Sequence, residues 1–189
     1  MSDANTIPSI EVLCVTAPDG TAHTICVAFI GGCERAEVIV QYQEGPLCAV
    51  PTVLAQWSAS YESPIGVGAG MAWLGDGRID LQIPEMRGIG LGSLLMQPLI
   101  HWIKGREHVV DVAPINLAAD DAKTDEARRI RNSFYEKLGF RFSYKDQESW
   151  GESFLMKSSC LVVPDFRLSN GWKVESTHTE GGSVFQKLR

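Results

Sequence analysis

Basic residues are nearly missing from the first part of this chain. Positions 1–75 carry one, Arg35, against seven acids: Asp3, Glu11, Asp19, Glu34, Glu37, Glu44 and Glu62. The other positions balance, so the whole net charge of −6 sits in the N-terminal part. A phosphate-binding surface needs clustered Lys and Arg, which disfavours a nucleic-acid function. An acidic half suits a cationic partner, and it suits solvated edge strands equally well. No apolar run approaches the roughly 18 residues of a membrane-spanning helix, so no membrane role is expected. No basic start precedes an apolar core, so no secretion signal is expected. The cysteines Cys14, Cys26, Cys33, Cys48 and Cys160 contain no C-x-x-C pair. Their odd count predicts reduced thiols in a cytoplasmic protein. The histidines His23, His101, His108 and His178 show no H-E-x-x-H spacing, so no metal site is expected. No G-x-S-x-G nucleophile elbow occurs.

What is present is a chain of 189 residues, 44% hydrophobic and 21% charged, ordinary for one globular domain with an appendage. Its first part reads as β-structure. Ile10 to Thr16 ends at Pro18-Asp19-Gly20, Thr21 to Ile30 ends at Gly31-Gly32, and Ala36 to Gln43 ends at Glu44-Gly45-Pro46. Positions 47–57 fit a strand or a short helix. Met71 to Leu74 and Arg78 to Ile83 flank Gly75-Asp76-Gly77, a hairpin pattern. Leu91, Leu94, Leu95, Leu99, Trp102 and Ile103 then recur at helical spacing, with Pro98 inside to kink the helix or shift its start. A strand over Val109 to Val112 ends at Pro114. A second helix runs from Thr124, an N-cap followed by Asp125 and Glu126, to Leu138, with Gly139 as its stop. Its expected apolar stripe is Ala127, Ile130, Phe134 and Leu138. Strands are expected at 140–145 and 154–161. The sum is α+β: a mainly antiparallel sheet with a strand–helix–strand–helix insertion. The expected division is one domain over 1–163, β-rich over 1–75 and ligand-binding over 76–160, with 164–189 appended.

The informative stretch is Ile83-Pro84-Glu85-Met86-Arg87-Gly88-Ile89-Gly90-Leu91-Gly92-Ser93, between a predicted strand and a predicted helix. Three glycines at alternate positions let the backbone turn tightly and approach a ligand closely. The amides of such a turn and of the first helical turn converge into an anion site suited to a pyrophosphate. Arg87 adds a charge-assisted contact. A Walker A loop would end in Gly-Lys-Ser/Thr, and no lysine is there. The G-x-G-x-x-G fingerprint fails in both registers, at Ser93 and at Leu95.

Arg87-x-x-Gly90-x-Gly92, preceded by Pro84-Glu85, resembles the pyrophosphate loop of the GNAT superfamily of acyl-CoA N-acyltransferases. Downstream, Asn132-Ser133-Phe134-Tyr135-Glu136-Lys137-Leu138-Gly139-Phe140 resembles the same family's next motif. The resemblance covers roughly residues 66–160. It departs at Arg128 and Arg131, where many members carry Asn and Ala; Asn132 is the candidate to take over the cofactor contact. Read without the motif, Phe134 and Leu138 are core residues and Tyr135 is amphipathic packing.

The resemblance implies a GNAT-like fold with a splayed parallel strand pair and transfer of an acetyl group from acetyl-CoA to a primary amine. The acceptor would be a small molecule or a peptide. It implies that Leu81, Gln82 and Ile83 pair with the pantetheine arm. Arg87, Gly88, Ile89, Gly90, Leu91, Gly92 and Ser93 would hold the pyrophosphate, and Tyr135 would protonate the leaving thiolate. An alkyl amine must lose a proton before attack, and Asp80 is the best-placed base, ahead of Asp76 and Glu85. The alternative is a catalytically silent coenzyme A-binding or interaction module. Exposed strands at the sheet ends leave homodimerisation open.

Overall fold

A computed structural model describes residues 8–64, 68–75, 83–121 and 123–185. The first four strands, β1 (Ser9–Thr16), β2 (Ala22–Gly31), β3 (Arg35–Glu44) and β4 (Thr52–Glu62), form an antiparallel meander. Side-chain alternation buries one face: Leu13 and Val15, Ile25 and Val27, Val38 and Val40, then Trp57 are all fully buried. The first turn closes as its sequence requires. Gly20 has φ +89, and Asp19 Oδ1 accepts the Thr21 N–H at 2.9 Å. The ambiguous stretch before Trp57 is strand from Thr52 onward.

Strand β5 (Met71–Leu74) lies antiparallel to β4 and parallel to β6 (Asp111–Val112). Together with β10 (Met156–Lys157) and β11 (Lys173–Glu180) they make an eight-stranded sheet, ordered β10-β6-β5-β4-β3-β2-β1-β11. A separate three-stranded sheet holds β7 (Asn116–Leu117), β9 (Trp150–Ser153) and β8 (Phe142–Lys145), in that order. This is an α+β fold with a mixed sheet flanked by helices, broadly consistent with a GNAT-like architecture. No helix among the described residues is long and apolar enough to cross a membrane.

Pro98 splits its helix. Helix α1 (Leu91–Leu95) stops at Met96, and α2 (Gln97–Lys104) restarts with the proline in its first turn, where a missing N–H does no harm. Helix α2 buries Leu99, Ile100 and Ile103 and packs on β3 and β4. Its end is pinned by Trp102 Nε1, which donates to Gly32 O at 2.9 Å, and by Arg106, stacked 4.0 Å from the Trp102 ring. Helix α3 (Asp125–Lys137) has the expected cap: Thr124 Oγ1 accepts the Ala127 N–H at 3.1 Å. It ends in a Schellman arrangement, with Gly139 N–H on Glu136 O and Phe140 N–H on Tyr135 O.

Three expectations are corrected. The buried face of α3 is Asn132, Tyr135 and Leu138; Ala127 and Ile130 are exposed. The predicted strand 154–161 is two short pieces, because β9 ends at Ser153 and β10 stops in a 3-10 turn at Ser158–Cys160. The strand predicted over 109–112 shrinks to Asp111–Val112, with Val109 exposed.

Residues 164–185, read as an appendage, run along the body. Gln97 Nε2 donates to Pro164 O at 2.8 Å, and β11 adds the edge strand beyond β1. Val184 and Phe185 are buried beside Glu11, which is itself fully buried. One Glu11 oxygen accepts the Val184 and Phe185 N–H groups at 2.9 and 3.3 Å and the Ser183 hydroxyl at 3.1 Å. Glu11 is thus no solvated surface acid; it fastens the C-terminal segment to β1.

At the other end of β1 and β2, His23 Nδ1 lies 2.9 Å from the Tyr42 hydroxyl and the imidazole stacks on Trp172. Burial pushes the His23 pKa below its ordinary 6.5, against a weaker opposite pull from Asp19. His101 is lowered in the same sense, by burial and by Lys104. The unfolded chain therefore takes up these protons first. Their contribution to stability is full above about pH 6.5 and drains as the pH falls below it. The urea midpoint should fall between about pH 7 and about pH 5, and less steeply in His23→Gln. A midpoint that rises on acidification would contradict this placement.

Candidate functional site

The site begins where two parallel strands part. Asp111 N–H bonds to Gly70 O at 2.9 Å and Ala113 N–H to Ala72 O at 2.8 Å. The next rung would run from Ile115 N–H to Leu74 O. Pro114 has no N–H and fixes its own φ, which favours leaving the ladder there. The Ile115 N–H donates to Ser153 Oγ at 2.8 Å, and Ser153 N–H donates to Ile115 O at 2.9 Å. Ser153, 2% exposed, therefore takes both backbone groups of Ile115 into the second sheet. Among the described residues, nothing from 113–117 bonds across to Leu74. A wedge opens between the C-terminal ends of β5 and β6, where ligands of open α/β sheets characteristically sit.

The glycine turn leads into helix α1. Residues Pro84–Met86 form a 3-10 turn, closed by Arg87 N–H on Pro84 O at 3.0 Å. Gly88 and Gly90 follow with φ +72 and +90, the left-handed region that disfavours any side chain. Met86, Ile89 and Leu91 anchor the turn in the core. The backbone N–H groups of Gly88 through Ser93 donate to no other described residue. Arg87 and Gly88 are exposed, and Gly90, Gly92 and Ser93 are half-buried. Amides with no bond to another described residue, on a turn with three glycines at alternate positions, make a cradle for an anion. A pyrophosphate fits its chemistry.

Helix α3 flanks the turn with its apolar, non-core side. A Cβ added at Gly88 would lie 3.7 Å from Ile130 Cδ1, and one at Gly92 would lie 3.5 Å from the Phe134 ring. Phe134 stands edge-on to Tyr135 at 4.9 Å. Tyr135 is 6% exposed and also meets Phe140 and Phe142 edge-on, each at 6.2 Å. Phe142 pairs with Ser153, so Tyr135 is tied through the second sheet to the residue that opens the wedge.

Polar groups on α3 hold the turn between β8 and β9. Arg131 donates to Ala118 O, Glu148 O and Ser149 O, and its Nε to Asn132 Oδ1. Asn132 Nδ2 donates to Glu148 O at 3.2 Å. That turn needs holding: Asp146, Gln147 and Glu148 all have positive φ. Tyr144 donates to Glu136 Oε1 at 2.7 Å, and burial together with that carboxylate pushes its pKa well up.

The structure thus brings Gly88 and Gly92 of the glycine turn against Ile130 and Phe134 of α3, with Tyr135 edge-on to Phe134. Asp80, Leu81 and Gln82, with Asp76 and the strand 78–82, lie outside the described residues. Ile83 is a buried bend residue ahead of the 3-10 turn, and Glu85 is exposed on that turn. The strand beside the wedge is Met71–Leu74. Asn132 is 4% exposed, with its amide engaged inside the protein. Sequence reasoning missed Ser153, an ordinary serine with no local signal. It also missed Ser169, whose N–H donates to Ile89 O at 2.8 Å and lays the C-terminal segment against the glycine turn. Asn170-Gly171, both at positive φ, carried a turn signal that could have located it. No cluster of His, Cys, Asp or Glu among the described residues could hold a metal ion.

A scan of protein-family models, a search of curated proteins and a search of solved structures find no match to this chain. The shape of the fold is compatible with a coenzyme A-binding, transferase-like module.

Ser153→Ala should remove the acceptor of the half-buried Ile115 N–H and destabilise the protein by about 1 kcal/mol, read as a urea midpoint. The two helix-flanking glycines should separate. Gly90→Ala meets nothing closer than 3.9 Å, so only backbone strain of about 1–2 kcal/mol applies. Gly139→Ala has the same strain and puts its Cβ 2.5 Å from Cys160 O. It should be the more damaging of the two; equal midpoints would refute the distinction.

Proposed function

We propose that this chain is an acetyl-CoA-dependent N-acetyltransferase of the GNAT type, acting on a primary amine of a small molecule or peptide in the cytoplasm. One observation carries the reading: a left-handed glycine turn whose amides bond to no other described residue, packed against helix α3, in a fold whose parallel strand pair opens at its C-terminal end. The closeness of Gly92 to Phe134 supports the reading, since each belongs to one of the two sequence motifs.

Coenzyme A would supply an activated thioester. The Gly88–Ser93 amides and Arg87 would bind the pyrophosphate, and the backbone of Leu74 at the wedge would pair with the amide arm. Holding thioester and amine in one cleft removes the entropy of their encounter, which supplies much of the rate. The amine nitrogen bonds to the acyl carbon as the carbon–sulfur bond breaks. The amine proton passes to a base, with Asp80 the sequence candidate, and Tyr135 gives a proton to the departing sulfur.

A second reading keeps the cofactor and drops the turnover. The burial of Tyr135 among three phenylalanines favours it, because a general acid must reach its substrate. Calorimetry with acetyl-CoA and a thiol-release assay on an amine panel separate the two. Wild-type protein should bind acetyl-CoA, and Gly90→Glu, which sets a negative charge in the cradle, should lose binding at least ~10-fold. Turnover should fall about 10²-fold in Tyr135→Phe with binding retained. Binding without turnover on any amine selects the silent module, and no binding by folded wild-type protein removes both.

A further inference from the structure

The glycine turn leaves one choice open. Ile89 and Leu91 are anchored in the core, and Gly90 between them has φ +90. A residue held on both sides can still swing its peptide plane, as a crankshaft turns between two bearings. Turning the Ile89–Gly90 plane over takes φ of Gly90 toward −90, which glycine accepts as readily. The peptide is trans, so its C=O and N–H point opposite ways. One orientation offers the Gly90 N–H to an anion. The other offers the Ile89 carbonyl, whose partial negative charge repels one. The glycines allow both, so something outside the turn must select.

The C-terminal segment makes that selection. Ser169 N–H donates to Ile89 O at 2.8 Å. The Gly90 N–H, on the opposite side of the same plane, donates to no other described residue. Ser169 is itself held from both directions. Upstream, Gln97 Nε2 donates to Pro164 O at 2.8 Å, and the Phe166 ring meets Phe185 at 5.5 Å. Downstream, Asn170 and Gly171 turn the chain at positive φ, and Trp172 N–H closes that turn on Ser169 O at 3.1 Å. The Trp172 ring then stacks on the buried His23. We propose, resting on the coenzyme A reading, that Ser169 is a positioning residue of the anion site. Its backbone N–H holds the Ile89 carbonyl back and thereby aims the Gly90 N–H at a bound pyrophosphate. A stretch of chain outside both sequence motifs so becomes part of the binding machinery, through its backbone and not its hydroxyl.

Titration of the full chain with acetyl-CoA and with inorganic pyrophosphate tests it, read by calorimetry and by the Gly90 amide resonance. In the wild type that resonance should move with either ligand. Ser169→Pro removes the N–H and keeps the carbonyl that receives Trp172. It should bind both ligands about 3- to 10-fold more weakly, with the Gly90 resonance displaced before any ligand is added. Ser169→Ala, the conservative variant, keeps the N–H and should restore both affinity and resonance. Should the proline disturb the fold, an ester in place of the 168–169 amide removes the same N–H alone; ligation of a synthetic 160–189 peptide at Cys160 introduces it. Wild-type affinity in a folded chain without this N–H overturns the inference and leaves the coenzyme A reading standing. Equal loss in Ser169→Ala and Ser169→Pro overturns it too, by assigning the effect to the hydroxyl. A folded wild type that binds neither ligand overturns both.

Discussion

Ser153 competes with Leu74 for one backbone group, and the layout of the site follows from the outcome. A parallel ladder continues only while each N–H finds the next carbonyl. At Ile115 the serine hydroxyl offers an acceptor, and the serine N–H a donor, 2.8 and 2.9 Å away. The exchange is close to neutral for Ile115, which trades one hydrogen bond for another of similar strength. It is not neutral for Leu74, whose side of the ladder is left open. A buried, unpaired backbone group is expensive, so such an edge persists only where water or a ligand can reach it. The wedge is therefore a consequence of satisfying Ile115 elsewhere.

The same exchange starts the second sheet. Released from β5, the chain forms β7 against β9, and β9 carries β8. Helix α3 rests on this sheet through Tyr135, Phe140 and Phe142. Its other side, Ile130 and Phe134, is thereby turned to the glycine turn. That explains why the apolar stripe of α3 is not its buried face. Two surfaces compete for the helix. The sheet side wins the core position because Arg131 and Asn132 satisfy the carbonyls of Ala118, Glu148 and Ser149. The apolar side is left beside the cradle, where an organic ligand could cover it.

Local chemistry was legible in the sequence; long-range satisfaction was not. The Pro18-Asp19-Gly20 turn, the break at Pro98, the Thr124 cap and the Gly139 stop each depend on residues a few positions apart. Each stands as its local pattern implies. The glycine turn belongs with them, since alternate glycines require nothing distant to turn left-handed. Glu11 is the opposite case. Among seven acids of an acidic segment it looked solvated, and only the amides of Val184 and Phe185 bury it. Ser153 and β11 fail to announce themselves for the same reason, because their partners lie far along the chain. Polarity alone misplaces a residue whose partner comes from elsewhere.

The core face of β1 to β4 carries α2, the C-terminal segment and Phe185, and it sets the end from which the glycine turn projects. The outer face carries none of the groups that line the wedge. Coupling between distant sites needs an element with two arrangements that both sites bias. A meander closed by two continuous antiparallel neighbours on every inner strand offers no second register without exposing Leu13, Ile25 and Val38 together. On the proposed function, affinity for the cofactor would be set where described backbone groups are open, at Gly88 to Ser93 and Leu74, and by the segment that Ser169 lays against Ile89.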